Sequence, residues 1–329
     1  MEKKIRWGIM GPGRIAHKFV QSLQCLKDAE IIAVGSRSVE RAAEFAAQYG
    51  INRAYGNYPD LVADSDIDIV YIGTQHPGHF ECALMCLKAG KAVLCEKPFT
   101  INAPETATLI RTARKSGIFL MEAMWMRYLP AMVKVRELLA QGAIGEIRMI
   151  KADFGNRIPW DPEGRLLNPA SGGGALLDVG IYPVSFSAMI FGASPVKITG
   201  VAHLGKTGVD EQFSAILGYE EGRIAAIAGA VRTALPNEAR VIGTEGYIRI
   251  PHFWYASGFE LCRNNKTEQF EIPFVSTGYI HEAEEAMRCL RAGLTESSIM
   301  PLDESLKIMK ILDTLRKQWG LKYPMETKR

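Results

Sequence analysis

The first third of the chain alternates strand-like and helix-like segments with a regularity that few folds accommodate. The runs IRWGIM (5–10), EIIAVGS (30–36), IDIVYIG (67–73), AVLCE (92–96) and IFLMEA (118–123) read as strands. Between them, Ile15 to Leu26, Val39 to Tyr49, His79 to Ala89 and Ala103 to Ser116 carry apolar residues at helical spacing. Strands that are apolar on both faces, each followed by a helix, require a parallel sheet covered on both sides. The first domain is therefore α/β.

After about Glu122 the rhythm changes. A helix near Leu129 to Gln141 leads into EIRMIKADFG, VKITGVAHL, EQFSAILGYE, GRIAAIAGAV, EARVIGTEGYIRI and FELCRNN, several of them separated by short turns such as YEEGR and GTEG. That is the pattern of antiparallel strands. One helix containing LLDVGIYPVSFSAMIFG sits among them, and two more, Tyr279 to Ala292 and Leu302 to Trp319, close the chain. The expectation is an α+β second domain with a large, mostly antiparallel open sheet, divided from the first as 1–122 and 123–329. A sheet covered on one side leaves an apolar face to be buried, so a homodimer through this sheet is expected.

With 39 basic and 36 acidic side chains the chain offers no charge argument for a nucleic-acid or membrane partner. No uninterrupted apolar segment reads as a membrane span, and the N-terminus reaches glycines before a signal-peptide core could form. A cytoplasmic location is the corresponding expectation. The six cysteines form no CxxC pair, which favours reduced thiols. His76, His79, Cys82 and Cys86 cluster in HPGHFECALMC, but no compact ligand pair and no second ligand group accompany them, so packing is preferred to zinc and no metal is expected.

GPGRIA directly follows the first strand, placing Gly11, Gly13 and Ala16 in a GxGxxA pattern at a strand-to-helix turn. The first glycine allows the tight turn, the second lets backbone amides approach a pyrophosphate, and the small third residue lets helix and strand pack closely. A purely structural glycine turn is the plain alternative, but the βα context favours dinucleotide binding. The second strand ends in Ser36, Arg37 and Ser38, without the acid that would accept hydrogen bonds from an NAD ribose. A guanidinium and hydroxyls suit a 2′-phosphate, which points to NADP in preference to NAD.

GxGxxA near the N-terminus, GTQHPGHF at the end of IDIVYIG, CEKP at the end of AVLCE and GGGALLDVGIYPV in the second domain occur in order along the chain. Together they resemble the glucose-fructose oxidoreductase, inositol dehydrogenase and rhizopine-catabolism family (Gfo/Idh/MocA). MEAMWMRYLP and the tyrosine ending DVGIY are similar to its branch containing dimeric trans-1,2-dihydrobenzene-1,2-diol dehydrogenase and NADP-dependent D-xylose 1-dehydrogenase. Many other branches carry histidine where this chain has Tyr182.

The resemblance implies a Rossmann first domain whose cofactor contacts come from Gly11, Pro12, Gly13, Arg14, Ile15 and Ala16 in the first turn and from Ser36 and Arg37 after the second strand. It extends them to Thr74, Gln75, His76 and His79, to Glu96 and Lys97, and to Trp125 and Arg127. It places Lys97 near the nicotinamide, with a Lys97–Pro98 bond that can be cis.

Oxidising an alcohol by hydride transfer needs a group to take the hydroxyl proton. Tyr182 and Lys97 are the candidates, because an ammonium beside a phenol favours the phenolate, while burial and a positive nicotinamide disfavour a lysine's charge. Tyr182 is preferred, with Lys97 polarising the substrate oxygen and Asp178, four residues earlier, binding a second hydroxyl or holding Lys97. Trp125, Phe154, Trp160, Trp254 and Tyr279 supply aromatic surface for a sugar or cyclic diol, although each taken singly is core sooner than pocket. His79 could cap a helix, and Arg127 could make an ion pair instead of a phosphate contact. The resulting expectation is an NADP-dependent dehydrogenase of cyclic diols or aldoses. The alternatives are a dehydrogenase of another polyol, such as an inositol, and a non-catalytic NADP-binding sensor.

Overall fold

The computed structural model describes residues 4–327. In chain order, β1 (Ile5–Met10), α1 (Arg14–Leu23), β2 (Ala29–Gly35), α2 (Val39–Tyr49), β3 (Arg53–Tyr55), α3 (Tyr58–Ala63), β4 (Ile69–Ile72), α4 (His79–Lys88), β5 (Ala92–Glu96), α5 (Ala103–Ser116) and β6 (Leu120–Ala123) build the first sheet and its helices. There follow α6 (Pro130–Ala140), β7 (Ile147–Gly155), α7 (Ile181–Phe191), β8 (Lys197–Leu204), β9 (Asp210–Gly218), β10 (Ile224–Ala230), β11 (Glu238–Gly243), β12 (Gly246–Pro251), β13 (Gly258–Arg263) and β14 (Lys266–Glu271). Helices α8 (Ile280–Arg291) and α9 (Leu302–Trp319) complete the chain.

The first sheet has the order β3-β2-β1-β4-β5-β6 with every pair parallel. Its order reverses beside β1, the topological switch point at which such sheets bind ligands. β4 and β5 are buried along their whole length, as a doubly covered parallel sheet requires. Local chemistry sets the helix ends. Ser38 accepts from the Arg41 amide and Asn102 from the Glu105 amide to start α2 and α5, and left-handed Gly50 and Gly117 end them.

The second sheet runs β14-β13-β12-β11-β7-β10-β9-β8. Neighbours are antiparallel except for β7 and β10, which run parallel. One face alternates toward α7 and α9. Ala215, Leu217, Ala225 and Ile227 are buried there, while Val201 and Ile216, on the opposite face, are 76% and 47% exposed.

The expected division of the chain needs one correction. Two compact units form, residues 1–125 with 275–305 and residues 126–274 with 306–329. The returning segment belongs to the first unit for visible reasons. Ser22 Oγ and Thr277 Oγ1 lie 2.6 Å apart, Arg291 pairs with Asp28 at 2.7 Å, and the Leu120 amide donates to the Thr295 carbonyl at 3.0 Å.

A second correction concerns hydropathy. Residues 169–191 are long and apolar enough to cross a membrane by composition alone, yet 78% of the most apolar window is buried within the protein. A helix apolar all round is what a core position demands.

Candidate active site

The turn after β1 shows why its glycines differ. Gly11 has φ +89°, and a Cβ there would meet Thr74 Cγ2 at 2.9 Å, so both backbone and packing require glycine. Gly13 is different: a Cβ would find only the Gly73 carbonyl, at an ordinary 3.5 Å. The protein's own packing leaves that approach open, as the backbone of a pyrophosphate site must. Gly13 is also the N-cap of α1 and supplies no side-chain cap, whereas α2, α3 and α5 are capped by Ser38, Asn57 and Asn102. The amides opening α1 thus remain available to an anion, with the helix dipole behind them. These residues fit a dinucleotide phosphate. Ala16 is fully buried, as close helix–strand packing needs, and Arg14 is exposed at the mouth of the turn beside half-buried Pro12 and Ile15.

At the end of β2, Ser36 is buried and its hydroxyl accepts from the Ser38 amide at 3.3 Å. Arg37 projects exposed from the same bend. Thr74 and exposed Gln75 follow β4, and His76 is buried beside them.

His79 holds a different position from the one expected. It is fully buried, with Nδ1 2.8 Å from the Pro98 carbonyl and Nε2 3.1 Å from the Thr74 carbonyl. It ties the loop after β4 to the turn after β5. Cys82 and Cys86 are buried free thiols, with burial pushing the Cys82 thiol up to about 11 and the Cys86 thiol higher still. Among the described residues no group of acidic, histidine and cysteine side chains is arranged to hold a metal.

The carboxyl end of β5 delivers Glu96, half-buried Lys97 and Pro98, and the Lys97–Pro98 bond is cis. Glu96 is a buried carboxyl held from two sides: Tyr71 Oη donates to Oε1 at 2.7 Å and the Lys97 amide to Oε2 at 3.2 Å. Burial pushes its pKa up to about 7 despite the opposing pull of the Lys97 charge and the Tyr71 bond, with Glu122 adding to the rise. Glu282 on α8 is fully buried near it and is raised well above the usual carboxyl range by burial and by the Glu96 charge. The lysine backbone therefore rests on a buried acidic group that sequence reading missed, apart from Glu96 itself. Tyr71 was the available signal, since a tyrosine in a fully buried strand needs a partner for its hydroxyl. In the same unit, buried Trp125 stacks on Tyr279 with centroids 4.4 Å apart.

In the second unit, GGGALLDVG enters a π-helical turn over Leu176–Gly180 that continues into α7. Such turns are uncommon and concentrate at functional sites. Asp178 lies on the wide turn and Tyr182 in the first turn of α7, helical in spite of Pro183. Asp178 Oδ1 receives Arg165 Nη1 at 2.9 Å, a partner unreadable from sequence because Arg165 sits in irregular chain. Tyr182 is buried, 5.5 Å from the Phe154 ring, which stacks on Trp254 at 3.6 Å. These three rings form one aromatic wall.

Arg127 and Trp160 have partners of their own. Arg127 is 1% exposed and donates from Nε to Ser185 Oγ at 3.1 Å and from Nη2 to the Ser185 carbonyl at 2.9 Å. It pins α7. Trp160 is 46% exposed and stands beside the Arg232 guanidinium at 5.7 Å, lining a surface recess with His203, Lys206 and Glu211, apart from the ring cluster.

The Glu96 environment makes a pH prediction. Its folded pKa lies above the ordinary 4.5, so the stability gained from its neutral form is full below pH 4.5 and is lost as pH rises through about 7. Urea unfolding followed from pH 5 to 8 is expected to show the wild-type protein losing stability more steeply than Glu96→Gln. Equal slopes would rule the assignment out.

Comparison with known proteins follows the same lines. Residues 5–124 match the family model described as oxidoreductase family, NAD-binding Rossmann fold, and residues 132–249 match the GFO/IDH/MocA C-terminal domain. The trans-1,2-dihydrobenzene-1,2-diol dehydrogenase of Mus musculus is 41% identical over 333 residues, covering 98% of this chain and 99% of its own. The Homo sapiens protein of the same name is 39% identical over 334 residues, with the same coverage. Among solved structures, the 3-ketoreductase KijD10 from Actinomadura kijaniata, in complex with NADP and TDP-benzene, is 28% identical. It superposes with a TM-score of 0.85 over 96% of this chain and 98% of its own. Two domain models that between them span most of the chain, and relatives similar over nearly its full length, establish that it belongs to the Gfo/Idh/MocA family of nicotinamide-dependent oxidoreductases.

Proposed function

We propose that the protein is an NADP-dependent dehydrogenase of cyclic vicinal diols or aldoses, in which Tyr182 moves the hydroxyl proton. The observation that carries this reading is the presentation of Asp178 and Tyr182 on one buried π-to-α helical segment, beside the Phe154 and Trp254 rings. The dihydrodiol dehydrogenases, similar at 38–42% identity, support the substrate class, and the NADP in the KijD10 complex supports the cofactor.

The chemistry supplied by the bound nicotinamide is acceptance of a hydride from the carbinol carbon. The chain supplies the rest. The amides of the turn at Gly13 hold the pyrophosphate, while Arg37 and Ser36 hold the 2′-phosphate by charge-assisted hydrogen bonds. Tyr182, reacting as the phenolate, takes the substrate hydroxyl proton on Oη as the carbonyl forms, and Lys97 polarises the substrate oxygen through its ammonium charge. Asp178, held by Arg165, accepts from a second hydroxyl, which selects polyols over simple alcohols. The aromatic wall covers the apolar face of the ring and excludes water.

The partner is a second copy of the chain, docked on the open face of the second sheet. Two rows of that face follow from the register, Thr199, Ile216 and Ala226 in one and Val201, Ser214 and Ala228 in the other. These are small or apolar residues that a solvent-facing sheet would not select.

Three outcomes are expected. Tyr182→Phe lowers turnover of a dihydrodiol or aldose about 100- to 10,000-fold while NADPH binding, read by fluorescence, is retained; near-normal turnover moves the proton role to Lys97. Arg37→Ala weakens NADP⁺ about 10- to 100-fold and leaves NAD⁺ unchanged, and equal effects on both would remove the 2′-phosphate assignment. Light scattering at micromolar concentration returns twice the chain mass; a monomer would defeat the dimer.

A further inference from the structure

The helical segment that carries Asp178 and Tyr182 begins without a cap of its own. Its first residues, Ala175 and Leu176, have no side-chain partner for their amides from the preceding chain. Buried amides at a helix start must nevertheless be satisfied. Asp210, at the beginning of β9, does this from across the fold: its Oδ2 accepts from the Leu176 amide at 2.6 Å, and the side chain is completely buried.

Three further observations show that the surroundings are shaped around this contact. Pairing of β8 with β9 skips Glu211, since His203 opposes Gln212 but Leu204 opposes Asp210. That bulge turns Asp210 inward, onto the face that Phe213, Ala215 and Leu217 occupy, where strict alternation would have placed Glu211. Gly174, with φ +115°, has no Cβ at the point where Asp210 Oδ1 lies; any side chain there would overlap the carboxylate. Finally, Tyr323 Oη donates to the Gly173 carbonyl at 2.6 Å, and a Cβ on Gly180 would come within 2.6 Å of the Phe213 ring. Gly174 and Gly180 of GGGALLDVG are thus explained by what β9 places against them.

We propose that Asp210 is the positioning residue of the acid–base helix: by capping the amides that open it, Asp210 fixes where Asp178 and Tyr182 stand. The inference rests on the role assigned to Tyr182 above. Asp210 touches neither substrate nor cofactor in this scheme and acts only through the helix. Burial pushes its carboxyl up to about 7, with the Leu176 amide, its own amide, the Arg316 charge and the Ala175 amide opposing the rise. Arg316 is itself held by Asp313 at 2.6 Å and Glu326 at 2.8 Å. A neutral carboxyl keeps an acceptor for the Leu176 amide, so the cap survives on either side of that value, and an amide side chain should largely replace it.

The test uses the full-length protein with trans-1,2-dihydrobenzene-1,2-diol and NADP⁺, and measures hydrogen exchange of the 174–182 amides in parallel. Asp210→Ala is expected to lower kcat about tenfold or more, to shift KM for the diol and the NADPH Kd less than threefold, and to raise exchange at 174–182 at least tenfold. Asp210→Asn is expected to restore kcat to within threefold of wild type. Gly174→Ala, which displaces the carboxylate without removing it, is expected to reproduce the kcat loss and the local exchange; it decides the matter if Asp210→Ala does not fold. Wild-type kcat or unchanged exchange in Asp210→Ala overturns the proposal. So does a kcat loss in Asp210→Asn equal to that of Asp210→Ala, or a parallel loss of NADPH affinity. Tyr182→Phe measured alongside separates the two readings. Should it retain turnover, the proton assignment fails, and with it any catalytic meaning for the cap, whereas exchange alone still reports whether Asp210 holds the helix.

Discussion

A carboxyl group placed where water cannot reach it must be neutralised or hydrogen-bonded, and this chain imposes that condition at the end of β5 and again at the start of β9. Glu96 meets it with the Tyr71 hydroxyl and the Lys97 amide, Asp210 with the Leu176 amide. In each case one group that satisfies the carboxyl, the Lys97 amide or the Leu176 amide, belongs to a segment carrying proposed reaction chemistry. The two chemical segments are therefore positioned by the same device. A buried acid is costly when unsatisfied, and so it holds its partner in one geometry more firmly than an apolar contact would.

The architecture could be read from the sequence wherever local chemistry and tertiary packing agreed. Helices α2 and α5 run over the same residues that periodicity indicated, because Ser38 and Asn102 start them and Gly50 and Gly117 stop them. The parallel first sheet followed from strands apolar on both faces. Strand β3 and helix α3 escaped because three and six residues are too few to show a period. Strand β14, KTEQFE, escaped because an exposed edge strand carries no apolar alternation.

The site divides along the same line. The glycine turn, the acid-free end of β2, Lys97 and Tyr182 stand out in the sequence because a phosphate-binding backbone or the proposed reaction calls for particular residue types there. Arg127 and His79 were named for their nearness to a motif, and the partners that give them a place in the fold could not be read from the sequence. Arg127 donates to Ser185, and His79 meets two carbonyls. Arg165, Glu282 and Asp210 are long-range partners whose importance depends on which distant segment they meet, and no local pattern records that.

The return of residues 275–305 to the first unit carries a consequence for how the protein is made. Tyr279 stacks on Trp125, Thr277 bonds Ser22, and Thr295 extends the hydrogen bonding of Leu120. During synthesis, residues 1–125 leave the ribosome first but lack these contacts until nearly the whole second unit has followed. The nucleotide-binding unit, although begun first, is thus closed only after residues 126–274 have been made, and a chain that stalls inside the second sheet has no finished unit with which to bind its cofactor.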